Sequence, residues 1–481
     1  THLALFDAVR VDQTHKVIDG TSQGGEVIEG TFSSTLLGLP ETVSSAFIIF
    51  ETIYGPDSVE IRIQETNGSD LIGAARSDNQ RAVAEQIGTD FNSSAEAAGA
   101  LLPALAPFAL AHDATLRAFL DRQAPLQGGA IQQGTAMALG QVLDRANGRL
   151  GQLGAAPGAL TSLSPQAFAQ ASRQSARSDQ NRAAGADQAQ ATGPATTSEE
   201  RFGVWLEGLG AQSDVGGDDN AEGFDSTAWG VVGGIDYRIS ETIALGLFGG
   251  YTQFDADFDG SARDDATSDQ TYGGIHGGWS AGALSLRAAV GYARLENETA
   301  RDTGTGSIAE AEFDGEAWFG VIEGGYLFEF GRSPRAWRIG PNLALRAAHV
   351  DNDSRRESGG GILSQRVNDE GYTSLLGEAG ALVARDFSLG GARVTPYGSL
   401  ALSYEFADTH TTATGGFANV PGAGRFQVDG PEVDRAAVRV GLGAVATPGG
   451  SWPLSVSLDY DGRYNQDIVD QALTVGLRLE F

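Results

Sequence analysis

Beyond residue 200, apolar side chains recur at every second position in segment after segment, and no run of eighteen apolar residues occurs anywhere in the chain. Trp229, Val231, Gly233, Ile235, Tyr237 and Ile239 alternate with Gly230, Val232, Gly234, Asp236 and Arg238. Leu454, Val456, Leu458 and Tyr460 alternate with Ser455, Ser457, Asp459 and Asp461. A period of two marks a strand with unlike faces. A membrane helix needs about 20 consecutive apolar residues, so a chain patterned this way can cross a bilayer only as a closed barrel. A soluble sandwich alternates too, but three features favour the membrane barrel. The strand candidates are as long as the roughly nine to eleven residues of a tilted span. Connections near Ser240-Glu241, Ser280-Ala281-Gly282, Gly331-Arg332-Ser333, Leu389-Gly390-Gly391 and Gly449-Gly450 are short, while those around 212–226, 255–269, 296–312, 351–371, 406–433 and 461–471 are mostly long. Tyr237, Tyr251, Trp279, Tyr292, Tyr326, Tyr404 and Tyr460 stand near strand ends, where interfacial aromatics belong. The expected fold is mainly β: a 12-stranded antiparallel outer-membrane β-barrel over 201–481. Closure from one chain predicts a monomer.

Such a barrel falls between the eight or so strands whose lumen side chains fill and the sixteen or so that enclose an aqueous channel. A helix about 10–12 Å across fits inside. Residues 164–200, rich in Ala, Gln, Ser, Gly and Arg, directly precede the first strand. Ser164-Pro165 is a good helix start, with Ser as N-cap and Pro at the first helical position. This composition would be a disordered linker in water, so a helix here makes sense inside a polar lumen. Arg173, Arg177 and Arg182 are then expected to face the lumen carboxylates Glu207, Glu323, Glu329, Glu378 and Asp459.

Two zones lie upstream. Residues 1–65 are strand-like, with Ser45-Ala-Phe-Ile-Ile-Phe50 and Val59-Glu-Ile-Arg-Ile63 between turn residues. Residues 66–163 read as a helical pre-barrel linker region. Val83, Ile87 and Phe91 are spaced by four, Leu116 to Leu120 form a second stretch, and Leu139, Val142, Leu143 and Leu150 share one side of a third. The chain opens at Thr1 in the middle of a β-like pattern, so an upstream portion is expected.

Asp and Glu outnumber Lys and Arg by 62 to 32, a formal net charge of −30. That argues against nucleic acid as a partner, because phosphate binding needs a basic face. With no cysteine, disulfides, thiolate metal sites and cysteine catalysis are excluded. The six histidines show no metal-ligand spacing and no P-loop is present, so no cofactor is expected.

The order of these zones resembles the C-terminal part of a monomeric autotransporter, the type V secretion family. Trp205 and Gly230-Val-Val-Gly-Gly-Ile-Asp-Tyr237 are similar to the family's barrel opening. Asn79-Gln-Arg-Ala-Val-Ala84, Ala118-Phe-Leu-Asp-Arg122 and Met137-Ala-Leu-Gly-Gln141 resemble its pre-barrel helices, and residues 26–63 the last coils of a β-helical passenger. The last strand, with Val475, Gly476, Leu477, Leu479 and terminal Phe481, resembles the signal read by the barrel-assembly machinery. The resemblance implies a translocator that brings its own upstream passenger to the cell surface and is then plugged. It implies outer-membrane lipids and lipopolysaccharide, the assembly machinery and periplasmic chaperones as partners, and no enzymatic activity in this chain. Two other readings are a porin-like channel with an open lumen, and a surface enzyme or adhesin whose active part lies before Thr1.

Two lookalike motifs are discarded on context. Gly278-Trp-Ser280-Ala-Gly282 fits the serine-hydrolase pattern but falls on a hairpin, where strand–turn–helix is required. Asp255-Ala-Asp257-Phe-Asp259-Gly260 opens like a calcium loop, but its twelfth position is Ala266. Asp255, Asp257 and Asp259 stay as weak metal candidates, with divalent ions bridging loop carboxylates to lipopolysaccharide phosphates.

Overall fold

The computed structural model describes residues 14–19, 42–44, 48–54, 58–65, 69–108, 111–153, 201–331, 336–447 and 454–480. The first four strands, β1 (Thr14–Asp19), β2 (Thr42–Ser44), β3 (Ile48–Tyr54) and β4 (Ser58–Glu65), form one sheet in the order β1-β4-β3-β2. All its pairings are antiparallel. The β-rich expectation for this zone is met, but a parallel β-helix coil would pair otherwise.

Five α-helices follow among the described residues: α1 (Ser69–Ala74), α2 (Asp78–Ser93), α3 (Ala95–Leu105), α4 (Asp113–Asp121) and α5 (Gln127–Leu153). Ser77 starts α2 with a capping box, accepting from the Gln80 amide while the Gln80 side chain accepts from the Ser77 amide. Ser94 caps α3 in the same position. The spacing-four stripe places Val83, Ile87 and Phe91 in a buried core with Leu71, Leu101, Leu105, Leu116, Phe119 and Leu120.

The barrel has twelve long strands: β5 (Phe202–Val215), β6 (Phe224–Arg238), β7 (Ile243–Phe258), β8 (Asp265–Ala281), β9 (Leu284–Asp302), β10 (Ile308–Tyr326), β12 (Trp337–Asn352), β15 (Glu370–Arg385), β17 (Ala392–Glu405), β20 (Ala436–Thr447), β21 (Leu454–Tyr464) and β22 (Ile468–Glu480). Short strands lie at the two ends: β11 (Phe328–Phe330) and β16 (Phe387–Leu389) at the short turns, β13 (Arg355–Arg356), β14 (Gln365–Val367), β18 (Thr412–Phe417) and β19 (Phe426–Asp429) in the long loops. Each long strand pairs antiparallel with its neighbours, β10 with β12, and β22 with β5, which closes the ring. Closure leaves no sheet edge for lipid to face.

The expected alternation is met strand by strand. Leu206, Val231, Leu247, Ile275, Val290, Leu343, Leu402, Leu458, Val475 and Leu477 point outward and are exposed. Trp229 and Trp318 stand at the upper rim of this band and Tyr237 and Tyr326 at the lower, eight residues further along their strands. Eight residues span about 26 Å of strand, or about 20 Å of bilayer at a tilt near 40°. Trp229 packs on Tyr251, Tyr292 on Trp318, Phe202 on Tyr237 and Tyr326 on Phe328, so both rims carry aromatic girdles. Among the described residues no helix is long and apolar enough to cross a membrane.

Several connections expected to be long are shorter than the sequence indicated. β7 to β10 run for 16 to 19 residues, past the upper girdle. The connection between β9 and β10 then shrinks to residues 303–307. Only two remain extended, 353–369 and 406–435, and both contain short strands.

Candidate functional site

A helix occupies the lumen, and it is α5. Its 27 residues extend about 40 Å. It enters at the long-loop end, where Gln127 donates to Asp264 at 3.2 Å and Asn352 donates to the Gly128 carbonyl at 3.0 Å. It ends among side chains near the short turns, where His276 Nδ1 lies 2.6 Å from the Ala146 carbonyl oxygen and Arg287 donates to the Asn147 carbonyl at 3.3 Å. Residues 127–153 were expected in the linker. The segment expected in the lumen, 164–200, lies outside the described residues, with Arg173, Arg177 and Arg182.

The two faces of α5 explain its position. Leu139, Val142, Leu143 and Ala146 pack on an apolar inner wall made by Trp205, Leu209, Val232, Phe248, Tyr272, Leu295, Phe319 and Val321. Further up, Ile131 and Ala130 meet Phe254, Phe224 and Phe313. This wall belongs to the β5–β12 side of the ring. Glycines permit the close approach. A Cβ on Gly134 would fall 2.1 Å from the Phe254 ring, and one on Gly129 would fall 2.3 Å from Thr411 Oγ1.

The opposite face carries charge. Asp144 pairs with both Arg346 and Arg439. Arg346 also binds Glu378 at 3.1 Å, and Arg439 binds Glu378 at 3.0 Å and Asp461 at 3.5 Å. Arg145 reaches Asp461 at 2.7 Å and Asp459 at 3.9 Å. Asn147 donates to Glu323 at 3.4 Å, and Glu323 is held by Arg287 at 2.6 Å. Below, His276 Nε2 stands 2.9 Å from Asp236, which also receives Trp205 Nε1 and Arg478. Such groups are costly to bury unless paired, and here strand and helix satisfy each other.

Four of the five expected lumen carboxylates, Glu207, Glu323, Glu378 and Asp459, are buried inside the barrel. Glu329 is exposed at the short-turn end, opposite Arg338 in the ladder. The basic partners Arg287, Arg346 and Arg439 were missed, although each occupies an inward position of its strand's alternation. Val475, Leu477 and Leu479 face outward, 51%, 48% and 40% exposed, with Gly476 between them. Phe481 lies outside the described residues. Asp255 and Asp257 are on the outward face of β7 with Ala256 and Phe258 turned in, and Asp259 is exposed beyond its end. They form no loop around a common point, and among the described residues no three acidic or histidine side chains converge on a metal-sized site. Ser280 sits on the β8–β9 hairpin, where Gly282 turns with φ 61°, so no nucleophile elbow exists there.

A closed twelve-stranded barrel with an apolar girdled exterior and an ion-paired helix through its lumen defines an outer-membrane translocator-type barrel. The family model described as the autotransporter beta-domain matches residues 204–461, more than half of the chain. The chain therefore belongs to the autotransporter family. It is 24% identical over 282 residues to the extracellular serine protease of Serratia marcescens, covering 58% of this chain and 26% of that protein. It is 26% identical over 265 residues to the pertactin autotransporter of Bordetella bronchiseptica, covering 54% and 26%. The chain thus spans about a quarter of the length of these curated relatives. Similar solved structures include the translocator domain of the autotransporter NalP from Neisseria meningitidis, with TM-score 0.48 and 15% identity over 66% of this chain and 100% of that one. Another is the beta domain of the Bordetella autotransporter BrkA, with TM-score 0.46 and 20% identity over 58% and 100%.

Proposed function

We propose that the barrel brings the N-terminal part of its own chain to the cell surface and then keeps α5 in the lumen as a resident plug. The supporting observation is the direction of α5: it enters at the long-loop end and leaves toward the short turns, where β5 begins. Everything before Gln127 then belongs to the long-loop side, which outer-membrane barrels turn to the cell exterior. The ion pairs of Asp144 and Arg145 and the apolar wall hold the plug in place. They also count against an open porin-like channel. Lipopolysaccharide around the girdled exterior, the barrel-assembly machinery acting on Val475, Gly476, Leu477, Leu479 and Phe481, and periplasmic chaperones are the partners this role requires. The barrel works as a monomer, without a catalytic group of its own. The relative named an extracellular serine protease favours a further possibility for the complete protein, an enzyme carried ahead of Thr1.

An epitope added before Thr1 tests this role in intact cells. Antibody binding without permeabilisation supports it. An epitope reached only after the outer membrane is opened overturns it.

A further inference from the structure

The motif Asn79-Gln80-Arg81 and the helices around it have no part in plugging the lumen, yet they are built into the barrel's mouth. The core of α1 to α4 is completed by Leu363 from the 353–369 connection and by Ala413, Phe417, Phe426 and Val428 from the 406–435 connection. Asn79 is 4% exposed, and its side chain acts like a piece of strand. Its Nδ2 donates to the Asp429 carbonyl at 2.7 Å and its Oδ1 accepts from the Asp429 amide at 2.8 Å. The same Nδ2 reaches the Asn220 carbonyl at 3.1 Å, in the β5–β6 connection. On other sides of the ring, Arg122 binds Asp302 at 3.3 Å and Gln123 donates to the Thr303 carbonyl at 3.0 Å. The helices are therefore tied to connections spread around the mouth, and they span it.

Below them, among the described residues, α5 does not fill the lumen. α5 packs on the β5–β12 wall and touches β20 and β21 mainly through long side chains. Two cavities of about 90 and 70 Å³ lie on its open side and share Asp144, Arg346, Glu378 and Arg439. Each has room for several water molecules. Their lining is mixed: Gln133, Gln141 and Asp470 stand beside Met137, Leu143 and Leu376 in the upper cavity, and Asn342 and Tyr397 line the lower. The Tyr397 hydroxyl and the Asn342 Oδ1 are buried with no hydrogen-bond partner among the described residues, which is the setting water occupies.

We propose that α1 to α4 form a second seal, a lid that closes the long-loop mouth over this hydrated crevice and releases separately from α5. The lid rests on α5 being the resident plug. With the lid docked, the crevice is blind at the surface. With the lid lifted, it passes small ions while α5 stays paired to Arg346 and Arg439.

The test uses the full chain in planar bilayers and in liposomes. Asn79→Ala removes the staple but touches neither plug nor barrel wall. We expect amide exchange in α2 and in Phe426–Asp429 to quicken about tenfold, as a tenfold rise in the undocked fraction requires. The residual current should rise by a similar factor, with exchange in α5 unchanged. The chain has no native cysteine, so Gln86→Cys and Arg425→Cys can be joined by a bismaleimide. Gln86 lies against Gly424, and Arg425 is its exposed neighbour. Joining them in the Asn79→Ala chain should return the current to the wild-type level. Faster lid exchange with no change in current overturns the proposal, as does exchange in α5 that quickens in step. Unchanged exchange in α2 also overturns it, because the staple then does not hold the lid. Surface display of the N-terminal epitope is measured in every variant, so a failed lid is distinguished from a failed translocator.

Discussion

Removing the charge of Asp144 should unlatch the plug without dissolving the barrel. Asp144→Asn keeps the size of the side chain and deletes one of the carboxylates shared by Arg346 and Arg439. The three side chains are 17%, 12% and 18% exposed, so solvent screens them only in part. Breaking a buried pair by removing one partner costs about 3–5 kcal/mol. Here both guanidiniums keep Glu378 at 3.1 and 3.0 Å, and Arg439 keeps Asp461. The loss is accordingly smaller, about 2 kcal/mol. That shifts the balance between seated and displaced helix by about 30-fold. The apolar contacts of Leu139, Val142 and Leu143 remain, so the plug stays seated most of the time. The expected record in planar bilayers is a wild-type baseline broken by brief large openings, about 30 times more frequent than in the wild type. The folded barrel should keep its fast migration in unheated gels. An opening frequency within a factor of about two of wild type would refute the assignment of Asp144 as a latch.

Other outcomes follow from the same contacts. Gly134→Val places atoms where the Phe254 ring already lies, 2.1 Å from the Cβ position, and Phe254 is itself fully buried. Overpacking of about 1–3 kcal/mol should lower the thermal midpoint for loss of gel-migration shift, while Gly140→Ala, with open space around it, should leave it unchanged. Val475→Arg puts a charge on the lipid face, where it costs about 2–4 kcal/mol near the midplane. Reduced folded fraction in a urea titration in lipid vesicles is expected, and Thr474→Val on the inner face serves as the contrast. Burial raises the carboxyl of Glu222, with Asp121, Asp264 and Asp259 adding to it and Arg122 opposing, and burial raises Asp121 and Asp264 as well. Asp121 lies on the lid, and Glu222 and Asp264 lie in barrel connections at the mouth; carboxyls raised while the lid is docked favour docking below the ordinary carboxylate range, and that contribution is lost as pH rises through the raised values. Amide exchange in α2, corrected for its intrinsic pH dependence, should therefore show tighter docking at about pH 4, near the ordinary carboxylate values, than at about pH 8.

The barrel was legible because lipid leaves little freedom. Between the girdles outward positions must be apolar and every backbone group paired, so Trp229 to Ile239 and Leu454 to Tyr460 declare their faces in the sequence. The plug was not legible for a definite reason. A polar helix such as 164–200 suits a uniformly polar lumen. Here the β5–β12 wall is apolar, built from Phe248, Tyr272, Leu295 and Phe319, so the helix that fits is amphipathic. Leu139, Val142 and Leu143 were recognised as one stripe, but a stripe does not say whether it meets a bundle or a barrel wall. Gly128, Gly129 and Gly134 hid the start of α5, because glycine lowers helix propensity while it allows close packing. The lid's reliance on Phe417, Phe426 and Val428 was likewise hidden, since contacts between residues about 350 positions apart, such as Asn79 with Asp429, leave no local pattern.

The most direct test of the plugged-translocator account is single-channel conductance of the intact chain beside a chain lacking residues 1–200. A nearly silent intact chain and a steadily conducting truncated one are predicted, because truncation removes α5 from a closed twelve-stranded ring. Equal, steady conduction by both would mean that α5 does not occupy the pore, and the account would fall.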